Sequence, residues 1–306
     1  MKYINRNQTE VFTKVHQLVI NIIFRDLDID SVMDKLNDLY QSFMYHYEAD
    51  EGLVYLKPID IFFRNAQRIV GDQYPDEVIW EHNNVSELID ILMYYKREVE
   101  RERSVLIYQE RQNKKALDEY ITKLTHHYAR LLFVRIDLKY AQGHDQLITI
   151  EEFNEHINKL RQLIRKQRAC FKDLEGYAWA LEQGEINGGL HCHLLLIYDG
   201  SERQKDWHIA KEVGEKWVQI TKGYGAYYNY HEPKNKRRYQ QYDRLGIGMI
   251  HRDNELEVAN ARCTALYLTK PDKFDQHLKV KILGMNTFGK GRYRTHKRRG
   301  LPPISK

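Results

Sequence analysis

The stretch Tyr177–Tyr198, YAWALEQGEINGGLHCHLLLIY, constrains this chain more than any other. It reads as two strands joined by a glycine-rich turn, with His191 and His193 two residues apart. Side chains at i and i+2 of a strand point to the same face, so the two imidazoles can converge on one ion. The triplet alone carries little weight, because 14 histidines give roughly 0.6 such triplets by chance. Its surroundings decide more. If the turn holds an even number of residues, strand partners have an odd index sum, and Glu182 lies on the same face as both histidines. An odd turn or a bulge sends Glu182 to the opposite face. Leu190, Cys192, Leu194 and Leu196 form an apolar opposite face, and Leu195 and Ile197 continue the histidine face apolarly. The polar patch is therefore confined to one strand end. Two imidazoles and a carboxylate on a rigid pleat suit Mg²⁺ or Mn²⁺, with positions left open for water or phosphate.

The remainder of the chain sets bounds. At 306 residues it can bury one large core or two ordinary ones. Cys170, Cys192 and Cys263 are scattered without CxxC spacing, which argues for reduced thiols and against a disulfide framework or zinc ribbon. No run of about eighteen apolar residues exists, so no membrane partner is expected. The N-terminus lacks a signal-peptide core, and a cytoplasmic protein is expected. The net charge of +5 is compatible with nucleic acid, and its distribution says more. Lys290–Arg299 carries six Lys/Arg and no acid.

Periodicity divides the chain into a helical N-terminal region of unassigned role (1–115), a mixed domain (116–289) and a basic tail (290–306). Val32, Leu36, Leu39 and Phe43 recur at helical spacing, as do Leu88, Ile91, Leu92 and Tyr95. From Leu131 the pattern changes to alternation, with Leu132, Val134, Ile136 and Leu138 set against Phe133, Arg135, Asp137 and Lys139. Thr149–Glu152 is a capping box that opens a helix striped by Phe153, Ile157, Leu160 and Ile164. A helix over Ala210–Ile220, a short strand over Leu245–His251 and a helix over Glu255–Lys270 follow. The order fits an α+β fold with an antiparallel-containing central sheet flanked by helices. Trp179, Trp207 and Trp217 are expected in the core, and His208 and His251 on the surface. A Tyr- and Lys/Arg-rich stretch from Lys222 to Arg244 includes Tyr228, Tyr230, Arg237 and Arg238. It suits unpaired bases and their phosphates, or equally an exposed hairpin with solvated charges. Lys290 and Arg292 in the tail are expected to meet phosphate non-specifically.

A nucleophile is available in two places. Tyr267 and Lys270 (YLTK) are neighbours on one helix surface, as are Tyr120 and Lys123 (YITK). A phenol is a poor nucleophile unless a cation or metal assists it. Spacing does not choose between them.

Together these residues resemble the HUH superfamily of single-strand DNA endonucleases. The segments ALEQGEINGGLHCHLLLIY, ALYLTKPD and NTFGKG are similar to the gene-II-type replication initiators of filamentous phages (inoviruses) and to YagK/YfjJ-like C-terminal domains. The resemblance spans about Tyr128 to Arg294. It implies His191, His193 and Glu182 as metal ligands, Tyr267 as nucleophile and Lys270 as its companion. Initiators of this type place the tyrosine after the histidine strand, which favours Tyr267 over Tyr120. Arg135, Asp137 and Lys139 lie where the first strand motif of the family falls, as a loose match. The implied activity is metal-dependent nicking and rejoining of single-stranded or origin DNA to start rolling-circle replication of a phage, prophage or satellite element. The implied partners include host helicase and polymerase. A non-catalytic origin or operator binder retaining the fold, or an HUH transposase or relaxase, would share these features.

Overall fold

The computed structural model describes residues 8–25, 27–47, 52–145, 147–184, 189–269 and 276–293. Four helices lead: α1 (Gln8–Phe24), α2 (Ile29–His46), α3 (Lys57–Val70) and α4 (His82–Tyr94), with a short strand β1 (Leu53–Tyr55) between α2 and α3. The Asp28 carboxylate accepts from the Ser31 N–H to start α2, and Pro58 sits in the first turn of α3, where no amide hydrogen is needed. Helix α5 (Lys96–His127) then runs unbroken for 32 residues. The boundary expected at 115/116 therefore falls inside a continuous helix.

The central sheet is antiparallel in every pairing. It comprises β2 (Arg130–Tyr140), β3 (Leu174–Gln183), β4 (Leu190–Asp199), β5 (Gly225–Asn229), β6 (Gly248–His251) and β8 (Phe288–Lys290). Its order is β5-β2-β4-β3-β8, with β6 on the same edge of β2 as β5 but at its other end. The remaining helices are α6 (Ile150–Arg165), α7 (Asp206–Ile220), α8 (Pro233–Gln240) and α9 (Glu255–Leu266). The Thr149 capping box is present in full at the start of α6. The fold is thus α+β, as expected, with a helical N-terminal region.

The two faces of the sheet have different covers. One carries Leu132, Val134, Ile136, Trp179, Leu181, Cys192, Leu194 and Leu196, which share a core with α6, α7 and the N-terminal helices. The other carries Phe133, Ala178, Ala180, Leu195 and Ile197, packed under α5, α9 and the turn after α9 by Leu117, Tyr120, Ile121, Leu124, Ala261, Ala265 and Leu268. The second core stops short of Glu182, His191 and His193, which leaves that end of the face for polar groups. Helix α9 is tied to α5 by a bidentate Arg262–Asp118 pair at 2.8–3.0 Å. Gly246 lets the chain pass α9 closely, since a Cβ there would meet the Asn260 carbonyl at 2.1 Å.

Several expectations are corrected. Trp179 and Trp217 are buried, but Trp207 is 44 % exposed at the start of α7. The Lys222–Arg244 stretch is a strand followed by a helix rather than a hairpin, because Pro233 opens α8. Lys290 is the last residue of β8, so the basic tail begins one residue later. Tyr267 sits in a single 3₁₀ turn, Tyr267–Thr269, that extends α9. Lys270 lies outside the described residues, as does the tail from 294 onward.

The N-terminal region is joined to the sheet rather than appended to it. Strand β1 pairs antiparallel with β7 (Val280–Ile282). The Gln183 amide donates to the Thr9 carbonyl and the Thr13 hydroxyl, each at 3.0 Å, and accepts from the Lys279 N–H at 2.9 Å. A buried amide with three partners is costly to remove, because each partner left unpaired loses its solvation as well. Gln183→Leu is expected to destabilise the protein by about 1–3 kcal/mol, measured as a lower urea midpoint at unchanged slope.

Candidate metal centre and its aromatic flank

The β3–β4 register is Glu182↔His191 and Ala180↔His193. The index sum is odd, so Glu182, His191 and His193 share one face. Gly184 donates to the Gly189 carbonyl at 2.9 Å and closes the turn, whose residues 185–188 lie outside the described set. Glu182 Oε2 is 3.0 Å from His193 Nε2 and 3.5 Å from His191 Nε2. The three donor atoms lie within 4.8 Å of one another, and this is the one such group among the described residues.

The donor set fits a divalent ion. Metal bonds of ~2.1 Å at right angles place neighbouring donors ~3 Å apart, which is the spacing of Glu182 from the two imidazoles. Each imidazole also presents its Nε2. His191 Nδ1 is 3.2 Å from the Gly189 carbonyl, and His193 Nδ1 is 2.6 Å from Asp137 Oδ1. A ring that donates from Nδ1 keeps the Nε2 lone pair for a ligand, the usual device for orienting a metal-binding histidine.

Asp137 comes from β2, whose register places it opposite His193. Its other oxygen accepts from the Tyr230 hydroxyl at 2.7 Å. Burial works against an ionised Asp137, but the His193 hydrogen bond and the nearby Arg135 outweigh it and hold its carboxyl below the usual range. Burial likewise works against a charged His193, and the bonds to Asp137 and Glu182 reverse that, raising its pKa.

Beside this cluster the Tyr267 ring stands edge-on to His193, with centroids 6.3 Å apart. The Arg135 guanidinium lies between two aromatic faces, 4.5 Å from the Tyr267 centroid and 4.5 Å from that of Tyr230. Arg135 is only 7 % exposed. Its own backbone N–H donates to His231 Nε2 at 3.0 Å. His231 Nδ1 in turn donates to Asp206 Oδ2 at 2.8 Å, an oxygen that also accepts from Lys236 at 2.8 Å. The His231 and Lys236 bonds overcome burial and keep the Asp206 carboxyl well below its usual range. This chain of bonds braces β2 against α7 and α8 directly beside the cluster.

Tyr120, the competing nucleophile, lies elsewhere. It is buried in the core between α5 and the sheet, and its hydroxyl accepts from the Tyr177 N–H at 3.3 Å. Tyr177 is five residues from Glu182 along β3, roughly 17 Å of strand. Burial also pushes the Tyr120 phenol well above its ordinary pKa. Lys290 lies over the Tyr120 ring at 4.9 Å, and burial beside Lys123 lowers its pKa. Together with exposed Arg292 it lines a hollow at this far end. Tyr228, paired across from Asp137, and Tyr230, bonded to it, are instead on the cluster's side of the sheet, while Arg237 and Arg238 are exposed on α8. His208 and His251 are surface residues paired with Glu212 and Glu257.

Sequence reasoning did not assign Asp137 or Arg135 a part, and it missed His231 and Asp206 altogether. The signal for Asp137 was its strand alternation in phase with a buried polar pair. Its partner could be named only once β2 was known to lie beside β4.

The chain belongs to the YagK/YfjJ C-terminal domain family, whose profile matches residues 96–291. The match opens at the first residue of α5 and takes in every residue of the cluster. No curated protein and no solved structure matches the chain.

Asp137→Asn keeps the shape of the side chain but weakens its hold on His193. It is expected to lower Mn²⁺ affinity ~10–100-fold in calorimetric titration, while His208→Ala leaves it unchanged.

Proposed function

We propose that this protein is a site-specific single-stranded DNA endonuclease and strand transferase of the HUH type, which initiates rolling-circle replication of a phage, prophage or satellite element. The observation that carries this reading is the convergence of Glu182, His191 and His193 on one spot with the Tyr267 ring against His193. Glu182, His191 and His193 would hold Mg²⁺ or Mn²⁺, which when bound polarises a non-bridging oxygen of the scissile phosphate. Tyr267 would attack phosphorus, its phenolic proton passing through solvent to the departing 3′ oxygen. A bond forms from its oxygen to phosphorus as the bond to the 3′ oxygen breaks, leaving a 5′-phosphotyrosine and a free 3′-hydroxyl. That hydroxyl can prime synthesis, and the phosphotyrosine keeps the phosphodiester for rejoining.

Arg135 would serve the same step by holding the Tyr267 ring and placing a positive charge beside the developing phosphorane. Asp137 and Tyr230 would keep the His193 ring in its ligand orientation. Exposed Tyr228, and Arg237 and Arg238 on α8, would take the strand leading away from the scissile bond. The reaction would take place in the cytoplasm of a bacterial host, with host helicase and polymerase extending the 3′ end.

The test is a denaturing-gel search for a covalent protein–DNA adduct, using single-stranded oligonucleotides tiled from the DNA that flanks the gene, with Mn²⁺ or Mg²⁺ present. The adduct is expected with wild type and Tyr120→Phe, and absent with Tyr267→Phe, His193→Ala or chelator. Salt-dependent binding to every tile without an adduct on any would replace the nuclease with a non-catalytic origin or operator binder.

A further inference from the structure

Trp207 is the exposed member of the four tryptophans. Trp80, Trp179 and Trp217 are 1 %, 4 % and 0 % exposed, against 44 % for Trp207. It faces an open groove of about 820 Å³ between the start of α7 and α8, whose other wall carries Pro233, Lys234, Arg237 and Arg238. That size is within the ~300–1,000 Å³ of small-ligand sites. Glu232 is the one acid on the groove. Lys236, on the same helix, is committed to Asp206, whereas Lys234, Arg237 and Arg238 make no ion pair among the described residues. Lys211 adds a further cation 5.8 Å from the Trp207 ring.

The groove lies by the β5 edge of the sheet and is linked to the metal centre by a series of contacts around that edge. Tyr230, which donates to Asp137, touches the Tyr228 ring at a centroid distance of 4.8 Å. The exposed Tyr228 hydroxyl donates to Asn235 on α8 at 3.0 Å. Asn229, between the two tyrosines, donates to the Trp207 carbonyl at 3.2 Å. Hydrogen bonds through Asn235 and Asn229 thus link the Tyr230–Tyr228 pair, around the β5 edge, to a groove with a tryptophan on one wall and three cations on the other.

We infer that this groove is a nucleotide subsite, in which an unpaired base stacks on Trp207 while its phosphates meet Lys234, Arg237 and Arg238. The assignment rests on the DNA reading of the metal centre but not on cleavage. An aromatic face with cations around it fits any base that is not already stacked, and a duplex offers no such base. An acidic peptide would use the cations and leave the tryptophan without a role.

The test uses the full chain without metal and an oligothymidylate, with tryptophan emission and the anisotropy of an end-labelled strand read together. Binding is expected to quench wild-type emission, because the exposed tryptophan is the one at the contact. Trp207→Leu, a surface change, is expected to bind about 5- to 150-fold more weakly, as loss of one stacked base implies. Arg237→Gln with Arg238→Gln is expected to lower the slope of log affinity against log salt by about 1.4, at ~0.7 per phosphate contact. An oligonucleotide of abasic residues should bind without quenching, and Trp207→Leu should then bind it as well as wild type does.

The inference is overturned if the strand binds with unchanged emission and Trp207→Leu retains full affinity, or if no single strand binds. Quenching by duplex DNA or polyglutamate in preference to the single strand also overturns it. Quenching by single strands with no covalent adduct on any tile leaves the subsite standing and removes the nuclease, so the two failures are distinguishable.

Discussion

The centre depends on the antiparallel register of β3 against β4. Pairing Glu182 with His191 and Ala180 with His193 puts three ligand atoms on one face of a rigid pleat. A slip of one residue would send Glu182 into the opposite core and break the set. The register is secured by what surrounds it. Trp179, Leu181, Cys192, Leu194 and Leu196 on the reverse face can be buried only in this phase. Packing of one face thereby fixes the chemistry of the other.

The site is finished by elements from outside the hairpin. Strand β2 supplies Asp137 to orient His193 and Arg135 to stand between Tyr230 and Tyr267. The His231–Asp206–Lys236 chain braces that strand from behind. The Arg262–Asp118 pair holds α9, and so the Tyr267 turn, against α5. A buried arginine is costly in an apolar setting. Here the guanidinium is held between two aromatic faces near the Asp137 carboxylate, while its Nε is buried without a hydrogen-bond partner.

What was legible in the sequence is what is local. The strand alternation, the capping box at Thr149, the helical stripes and the shared face of His191 and His193 each depend on residues a few positions apart. Glu182 was legible only conditionally, because an even turn had to be assumed. The partnership of Asp137 with His193 depends on a strand pairing across 56 residues, and no spacing rule reaches that far. Trp207 was misplaced because a tryptophan near an amphipathic helix reads as core, although its position at the first turn leaves it outside the Ala210, Val213 and Trp217 stripe. The boundary drawn at 115/116 followed a run of charge that proved to be the exposed flank of α5. The preference for Tyr267 over Tyr120 came from chain order; in the fold Tyr267 lies beside His193, and Tyr120 is buried near Tyr177.

The central claim is that Glu182, His191 and His193 form one divalent-metal site. Crystals of the full chain grown with Mn²⁺, with anomalous differences collected near the manganese edge, test it most directly. The account predicts a single strong peak bonded at ~2.1 Å to Glu182 Oε2, His191 Nε2 and His193 Nε2, lost in Glu182→Ala crystals. An anomalous map with no peak at these atoms at saturating Mn²⁺, or with His193 still bonded to Glu182 as it is here, would contradict it.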